Sequence, residues 1–321
     1  MINNQVRSRF EALSTVVTDE AEALARDVKF GRPRAQDSLI RLAALFAHAA
    51  FVAPERIAAT YDAAARGWGA AVDGPVVSIP AGLVASEPPR AAFWSAFWNL
   101  VDAAGTVLGP GEITARTAAL GGHLSVAFQA RAAAACLAYR GVAEAAAQGA
   151  PARFALADLA LCPAGSLGGV FHRLIIDNGF DLEVLDRDAL GLAGLPPPLD
   201  YINMRALQAH DLWHIVAGYR TTGLHEVAIS AFQMAQFGHA YSAMFLAMAI
   251  SGLALNGADF APILLETILT AWAHGRRTPS LLGVPWEAVW NLPVETVRLR
   301  LGVTPYTSPY PADLFEAARA A

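Results

Sequence analysis

The sequence predicts an all-α fold, a helical bundle with a metal-site helical hairpin in its C-terminal half. Three observations point there. Alanine, the best helix former, dominates the composition. Apolar residues recur at three- and four-residue steps, as in Leu13, Val16, Val17, Ala21 and Leu24. Strand signals are few, and the best of them, Val76-Val77-Ser78-Ile79, is short.

Taken in order, the pattern predicts a helix over Phe10–Val28, broken by Gly31-Arg32-Pro33. A second runs from Ser38 to Val52 before Pro54, and a third covers Arg56–Ala70. The Pro- and Gly-rich stretch 74–89 reads as a loop. Helices follow over Arg90–Ala104 and Glu112–Gln148, the latter kinked or divided at Gly121-Gly122. Gly149-Ala150-Pro151 marks a domain boundary, giving an N-terminal helical region of unassigned role over 1–150 and a second helical domain over 151–321. Beyond a run of short turns, long helices resume over 200–218, 223–237, 240–255, 261–274 and 285–300.

Hydrophobic residues make up 55% and charged residues 16% of the 321 residues, against ~25% charged in ordinary globular proteins. That surplus calls for a subunit interface of a homo-oligomer, a membrane surface or an apolar cavity. The net charge of -5 and the lack of a basic run exclude nucleic acid as a partner. Cys136 and Cys162 lack metal-type spacing partners and read as reduced thiols of a cytoplasmic protein. No apolar run follows Arg7, so no signal peptide is expected. The most apolar stretch, 240–255, falls short of the ~20 residues a bilayer crossing needs. A peripheral position on the inner face of the cytoplasmic membrane fits these features.

The informative segment is Tyr201 to His214. At ~100° per residue, His210 and His214 project about 40° apart, one turn above the other, and Asp211 lies about 60° from His214. Gly218 to Gly223 then breaks the helix, Thr222 can cap the next one, and Glu226 falls in its first turn. A helical hairpin brings that carboxylate back to the histidine pair. Two imidazoles and two carboxylates suit zinc, and two histidines plus a carboxylate with open positions suit ferrous iron. A histidine pair alone is more often structural; the Asp inside it and the Glu beyond the break point to a metal. His225 is set about 100° from Glu226 and is left out.

Other residues have plainer readings beside functional ones. Arg276 and Arg277 suit a helix C-terminus or an anion site. Gly165-Ser166-Leu167-Gly168 starts a helix or presents N–H groups to an anion. Met244, Phe245 and Met248 suit a core or an irregular apolar ligand.

The arrangement His-Asp-x-x-His, eleven residues, then Glu resembles the signature of the coenzyme Q (ubiquinone) biosynthesis protein four family. Tyr201, Arg205, Phe232, Gln236, Gly275-Arg276-Arg277, Glu287, Trp290, Arg298, Leu301-Gly302-Val303 and the Gly165–Gly168 turn with Phe171 extend the likeness over about residues 155 to 305. The resemblance implies a polyprenylated, 4-hydroxybenzoate-derived ring as substrate and loss of its carboxylate at carbon one, with or without replacement by hydroxyl. It implies partners among other ubiquinone-biosynthesis proteins. His210, Asp211, His214 and Glu226 would hold the metal, Asp211 or Glu226 would move a proton, Arg276 and Arg277 would hold the carboxylate, and Met244, Phe245 and Met248 would line the tail groove. The alternative is a lipid-binding organiser whose zinc is structural.

Overall fold

A computed structural model describes residues 2–79, 82–83, 87–104, 110–183, 185–256 and 259–320. The fold is all-α. Its N-terminal half holds α1 (Asn4–Leu13), α2 (Ala21–Lys29), α3 (Ala35–Phe51), α4 (Ile57–Trp68), α5 (Ala91–Ala104), α6 (Pro110–Gly121), α7 (Val126–Cys136) and α8 (Val142–Ala146). After it come α9 (Leu156–Ala160), α10 (Leu167–Asn178), α11 (Leu199–Ala217), α12 (Gly223–Phe237), α13 (Ala240–Asn256), α14 (Ala261–Arg277), α15 (Val294–Leu301) and α16 (Leu314–Ala320). Among the described residues there is no strand, and Val76–Ile79 is irregular.

Three expected helices are divided: 285–300 opens as a 3₁₀ turn over Trp286–Val289, with α15 starting only at Val294 after Pro293, and the other two break for local reasons. The run from Phe10 to Val28 breaks at Ser14, where the Ser14 hydroxyl donates to Phe10 O and that of Thr15 to Ala12 O. These bonds compete with the helix ladder, and the β-branched Val16, Val17 and Thr18 do not restore it. The run from Glu112 to Gln148 becomes three helices. Gly121-Gly122 ends the first, Ser125 starts the second by accepting from Phe128 N–H at 3.1 Å, and Gly141 at φ 80° precedes the third.

The helices pack in two linked groups. α12 lies against α14, and α3 lies along α13, which also meets α5 and α6. The hydrophobic core is continuous from the N-terminal helices to the C-terminal ones. Phe46 stacks on Tyr61 at 4.2 Å, and Tyr61 meets Trp272 of α14 at 5.1 Å. Trp213, Trp272 and Trp286 are fully buried, each contributing roughly 2–3 kcal/mol from area alone. At the α12–α14 crossing, a Cβ on Gly275 would stand 2.7 Å from Phe232 O and from Ala235 Cβ, so only glycine allows this approach.

A polar link crosses from the N-terminal half. Asp62 on α4 accepts from Trp272 Nε1 at 2.8 Å and from Arg276 Nε at 3.2 Å, and Arg276 also donates to Pro75 O. The Arg276 side chain is 4% exposed, so its charge depends on these partners. Asp62→Ala leaves a buried guanidinium without its counter-charge and should cost ~3 kcal/mol in urea unfolding. Asp62→Asn, which keeps an acceptor, should cost less. Equal stability of parent and Asp62→Ala would mean that this pair does not hold α4 on α14.

Candidate metal centre

α11 and α12 form the expected hairpin. α11 ends at Gly218, whose φ of 82° is left-handed, and the N–H groups of Gly218 and Tyr219 both donate to His214 O. Arg298 of α15 donates to Val216 O at 3.0 Å and to Ile215 O at 2.7 Å, satisfying carbonyls that the helix end leaves open. The other end of α11 is tied by Arg205, which donates to Leu282 O, to Val284 O and, at 2.5 Å, to Gln208 Oε1. Gln236 on α12 bonds Gly275 O and Thr278 O, both at 2.8 Å, and accepts from Leu281 N–H. Arg205, Gln236 and Arg298 thus set the hairpin's position, a role the sequence pattern did not reveal.

Thr222 stands at the N-cap of α12 but does not cap it, because its hydroxyl donates to Ala312 O at 2.6 Å. The cap comes instead from Glu316, whose Oε1 accepts from Gly223 N–H at 2.8 Å. Tyr306 N–H donates to Ala217 O, so the C-terminal segment braces both sides of the turn.

The hairpin gathers the signature residues. His210 Nε2 lies 3.2 Å from Glu226 Oε2, and His214 Nε2 lies 3.2 Å from Glu226 Oε1. The two Nε2 atoms face each other at 3.1 Å. Ligand atoms of His210, Asp211 and His214 all lie within 4.8 Å of one another, a group able to hold a metal ion. Tetrahedral ligands at ~2.0 Å from zinc stand about 3.3 Å apart. The three short separations match that edge. Two facing imidazole nitrogens can share only one proton, whereas a cation between them satisfies both lone pairs and the carboxylate. The donor set therefore fits a divalent metal.

Access is graded. The side chains of His214 and Asp211 are buried, while His210 is 18% and Glu226 40% exposed. Gln233, buried on α12, places its amide Nε2 2.6 Å from His210 Nδ1 and fixes that ring. A metal on His210 Nε2 leaves the proton on Nδ1, and the Gln233 amide then turns its oxygen to it. His225 faces away and accepts from Arg220 N–H at 2.8 Å.

Charges in the site follow the same contacts. Burial pushes Glu226 up, but hydrogen bonds from His210 and His214 outweigh it and hold the carboxyl far below its usual range. Burial pushes His210 down, but the Glu226 bond and charge carry it above its usual value. Burial raises Asp211, against the pull of both histidines.

The remaining expected residues lie elsewhere in the fold. Arg276 is engaged by Asp62, and exposed Arg277 donates to Ala71 O at 2.6 Å. Met244 and Met248 are buried, while Phe245 shares a half-buried stripe of α13 with Tyr241, Ala249 and Leu253. The Gly165–Gly168 turn starts α10: Ser166 accepts from Gly169 N–H, and the N–H groups of Leu167 and Gly168 go to Leu292 O and Trp290 O. Both cysteines are free thiols.

The pair in the metal-free protein has a defined pH window. A lowered Glu226 contributes stability above its ordinary 4.5 that is lost as pH falls through the folded value. A raised His210 contributes stability below its ordinary 6.5 that is lost as pH rises through the folded value. Glu226→Gln should therefore lower the melting temperature most between pH 4.5 and 6.5, by ~1–2 °C given the partial exposure of Glu226. A difference that stays constant across the whole range would show that the pair contributes no ionic stabilisation.

The coenzyme Q (ubiquinone) biosynthesis protein Coq4 pattern matches residues 149–307. The mouse mitochondrial ubiquinone biosynthesis protein COQ4 homolog is 30% identical over 162 residues, 47% of this chain and 54% of that protein. The Bos taurus homolog is 32% identical over 111 residues, 33% of this chain and 39% of that protein. The chain thus spans about half the length, or less, of these curated relatives. A crystal structure from Nostoc punctiforme, assigned to ubiquinone biosynthesis, superposes with a TM-score of 0.51 at 25% identity, covering 66% of this chain and 97% of that one. Through residues 149–307, the chain belongs to the Coq4 family of coenzyme Q (ubiquinone) biosynthesis proteins.

Proposed function

We propose that this protein acts in ubiquinone biosynthesis, on a polyprenylated hydroxybenzoate-derived ring, in metal-assisted decarboxylation at ring carbon one. The observation that carries the reading is an open metal-type site: His214 and Asp211 are sealed in, while His210 and Glu226 face an accessible side. A structural zinc is normally closed by its protein ligands, whereas a reactive one keeps a side free. Family membership supports the pathway.

His210, Asp211, His214 and Glu226 would hold the ion, zinc or iron. When bound, it supplies a positive charge that stabilises electron density on the ring as the carboxylate departs. The chain's own groups do the rest. The half-buried stripe Tyr241, Phe245, Ala249 and Leu253 supports the isoprenoid tail, with the rings of Tyr241 and Phe245 parallel at 6.5 Å. Each buried methylene-sized unit contributes roughly 0.8 kcal/mol, so the tail anchors the head group. The bond from carbon one to the carboxylate breaks, its electron pair stays on the ring carbon, and carbon dioxide leaves. The ring carbon then takes a proton relayed by the site carboxyl that is not holding the ion, Asp211 or Glu226. Partners would be other proteins of the pathway. No helix of the described residues is long and apolar enough to cross a membrane, and the reading places the protein at a membrane surface, where such substrates reside.

Cells that lack their own enzyme for this step should accumulate the carboxylated precursor, and this protein should clear it. His210→Ala and Glu226→Ala should be made at parental level yet leave the precursor in place. Elemental analysis should find about one zinc or iron per parent chain and a tenfold or greater loss in His214→Ala. Restoration of ubiquinone by both alanine variants would remove the metal from the chemistry and favour a lipid-binding organiser.

A further inference from the structure

Beside the signature residues stands a histidine that the mechanism above does not use. His239 follows Gly238, whose φ of 67° makes the turn between α12 and α13. Its ring is 5% exposed. Nδ1 lies 2.9 Å from the hydroxyl of Ser242, which is fully buried, and Nε2 lies 3.4 Å from Asn203 Oδ1.

These contacts fix the tautomer. Asn203 Nδ2 donates to Leu199 O at 2.6 Å, which orients the amide so that Oδ1 faces His239. An amide oxygen only accepts, so His239 Nε2 carries the proton. Nδ1 then accepts from the Ser242 hydroxyl. Burial, with the nearby His210 charge, pushes the imidazole down to about 3, so the ring is neutral. The Nε2–H bond to Asn203 is longer than the ~2.7–3.2 Å of a good N–H···O bond. The donor is therefore only loosely engaged, and a better-placed oxygen would compete for it.

Its location suits a ligand oxygen. Asn203, Leu207 and His210 are the half-buried residues of one face of α11, spaced at four and three residues. Asn203 lies seven residues before His210, about 10 Å along the helix at 1.5 Å per residue. A benzoate head with a hydroxyl opposite its carboxylate measures roughly 7 Å from oxygen to oxygen by standard bond lengths. With its carboxylate at the histidine pair, such a ring reaches toward Asn203 and His239. Tyr241, two residues on, lies with its ring 5.7 Å from that of His239 and begins the apolar stripe of α13.

We propose that His239 is a substrate-binding residue whose Nε2–H donates a hydrogen bond to the phenolic oxygen of the aromatic head group. This rests on the ring-binding reading given above. A neutral donor holds a phenol or phenolate without attracting the carboxylate, which goes to the charged signature residues. The ring is thereby oriented with carbon one at the signature residues.

The test compares two probes on the metal-loaded protein, 3-geranyl-4-hydroxybenzoate and its analogue lacking the 4-hydroxyl. The parent should bind the hydroxylated probe about five- to tenfold tighter, the range for one neutral hydrogen bond. His239→Phe should erase that preference while keeping the affinity for the deoxy probe and the metal content. His239→Gln, which retains an N–H donor, should restore part of it and covers the case in which the Phe variant misfolds. If both probes bind and their ratio is the same in parent, His239→Gln and His239→Phe, the role of His239 is overturned and the ring-binding reading stands. If neither probe binds the parent, both are overturned.

Discussion

The position of the metal-type site depends on one steric constraint, the close crossing of α12 and α14 at Gly275. With no Cβ there, the backbone of α14 reaches Phe232 and Ala235 of α12 at a distance any other residue would forbid. That contact sets the depth of α12 in the bundle and therefore the height at which Glu226 meets the α11 histidines. Gln236 locks the same crossing through Gly275 O and Thr278 O. On its other side, α14 carries Trp272 and Arg276 to Asp62. One helix thus couples the N-terminal half to the site without contributing a ligand.

The all-α class and the hairpin were legible in the sequence because both rest on local rules. Apolar periodicity marks the helices, and a four-residue spacing puts His210 and His214 on one face whatever surrounds them. The division of Phe10–Val28 was less legible, because side-chain hydroxyls of Ser14 and Thr15 had to be weighed against a good apolar pattern. Thr222 misled for a related reason. It has the right type and position for a cap, but a tertiary acceptor, Ala312 O, claims its hydroxyl. Arg205, Arg298 and Gln236 stood out only as parts of a resemblance. Their distant partners are backbone carbonyls or N–H groups 39 to 83 positions away, and no sequence spacing encodes those.

The apolar surplus also has a structural expression. Much of it is buried within the N-terminal half, where Phe10, Phe51, Phe93, Trp94, Phe97 and Trp98 form one aromatic cluster, and where the two halves meet, with α3 covering a long face of α13. What remains half-open on α13 is a narrow stripe beginning at Tyr241. Burial of Met244 and Met248 and the half-burial of Phe245 show how neighbours on one helix part company once packing partners are fixed.

The C-terminal brace gives the site an order in time. His210, His214 and Glu226 lie within seventeen consecutive residues and leave the ribosome almost together. The carboxylate that caps their second helix belongs to Glu316, 93 positions after Gly223, and the backbone tie from Tyr306 also comes late. During synthesis these three residues therefore emerge before the segment that braces their turn. The turn has its full support only with α16 in place, so the most local feature of the sequence depends on one of its most distant contacts.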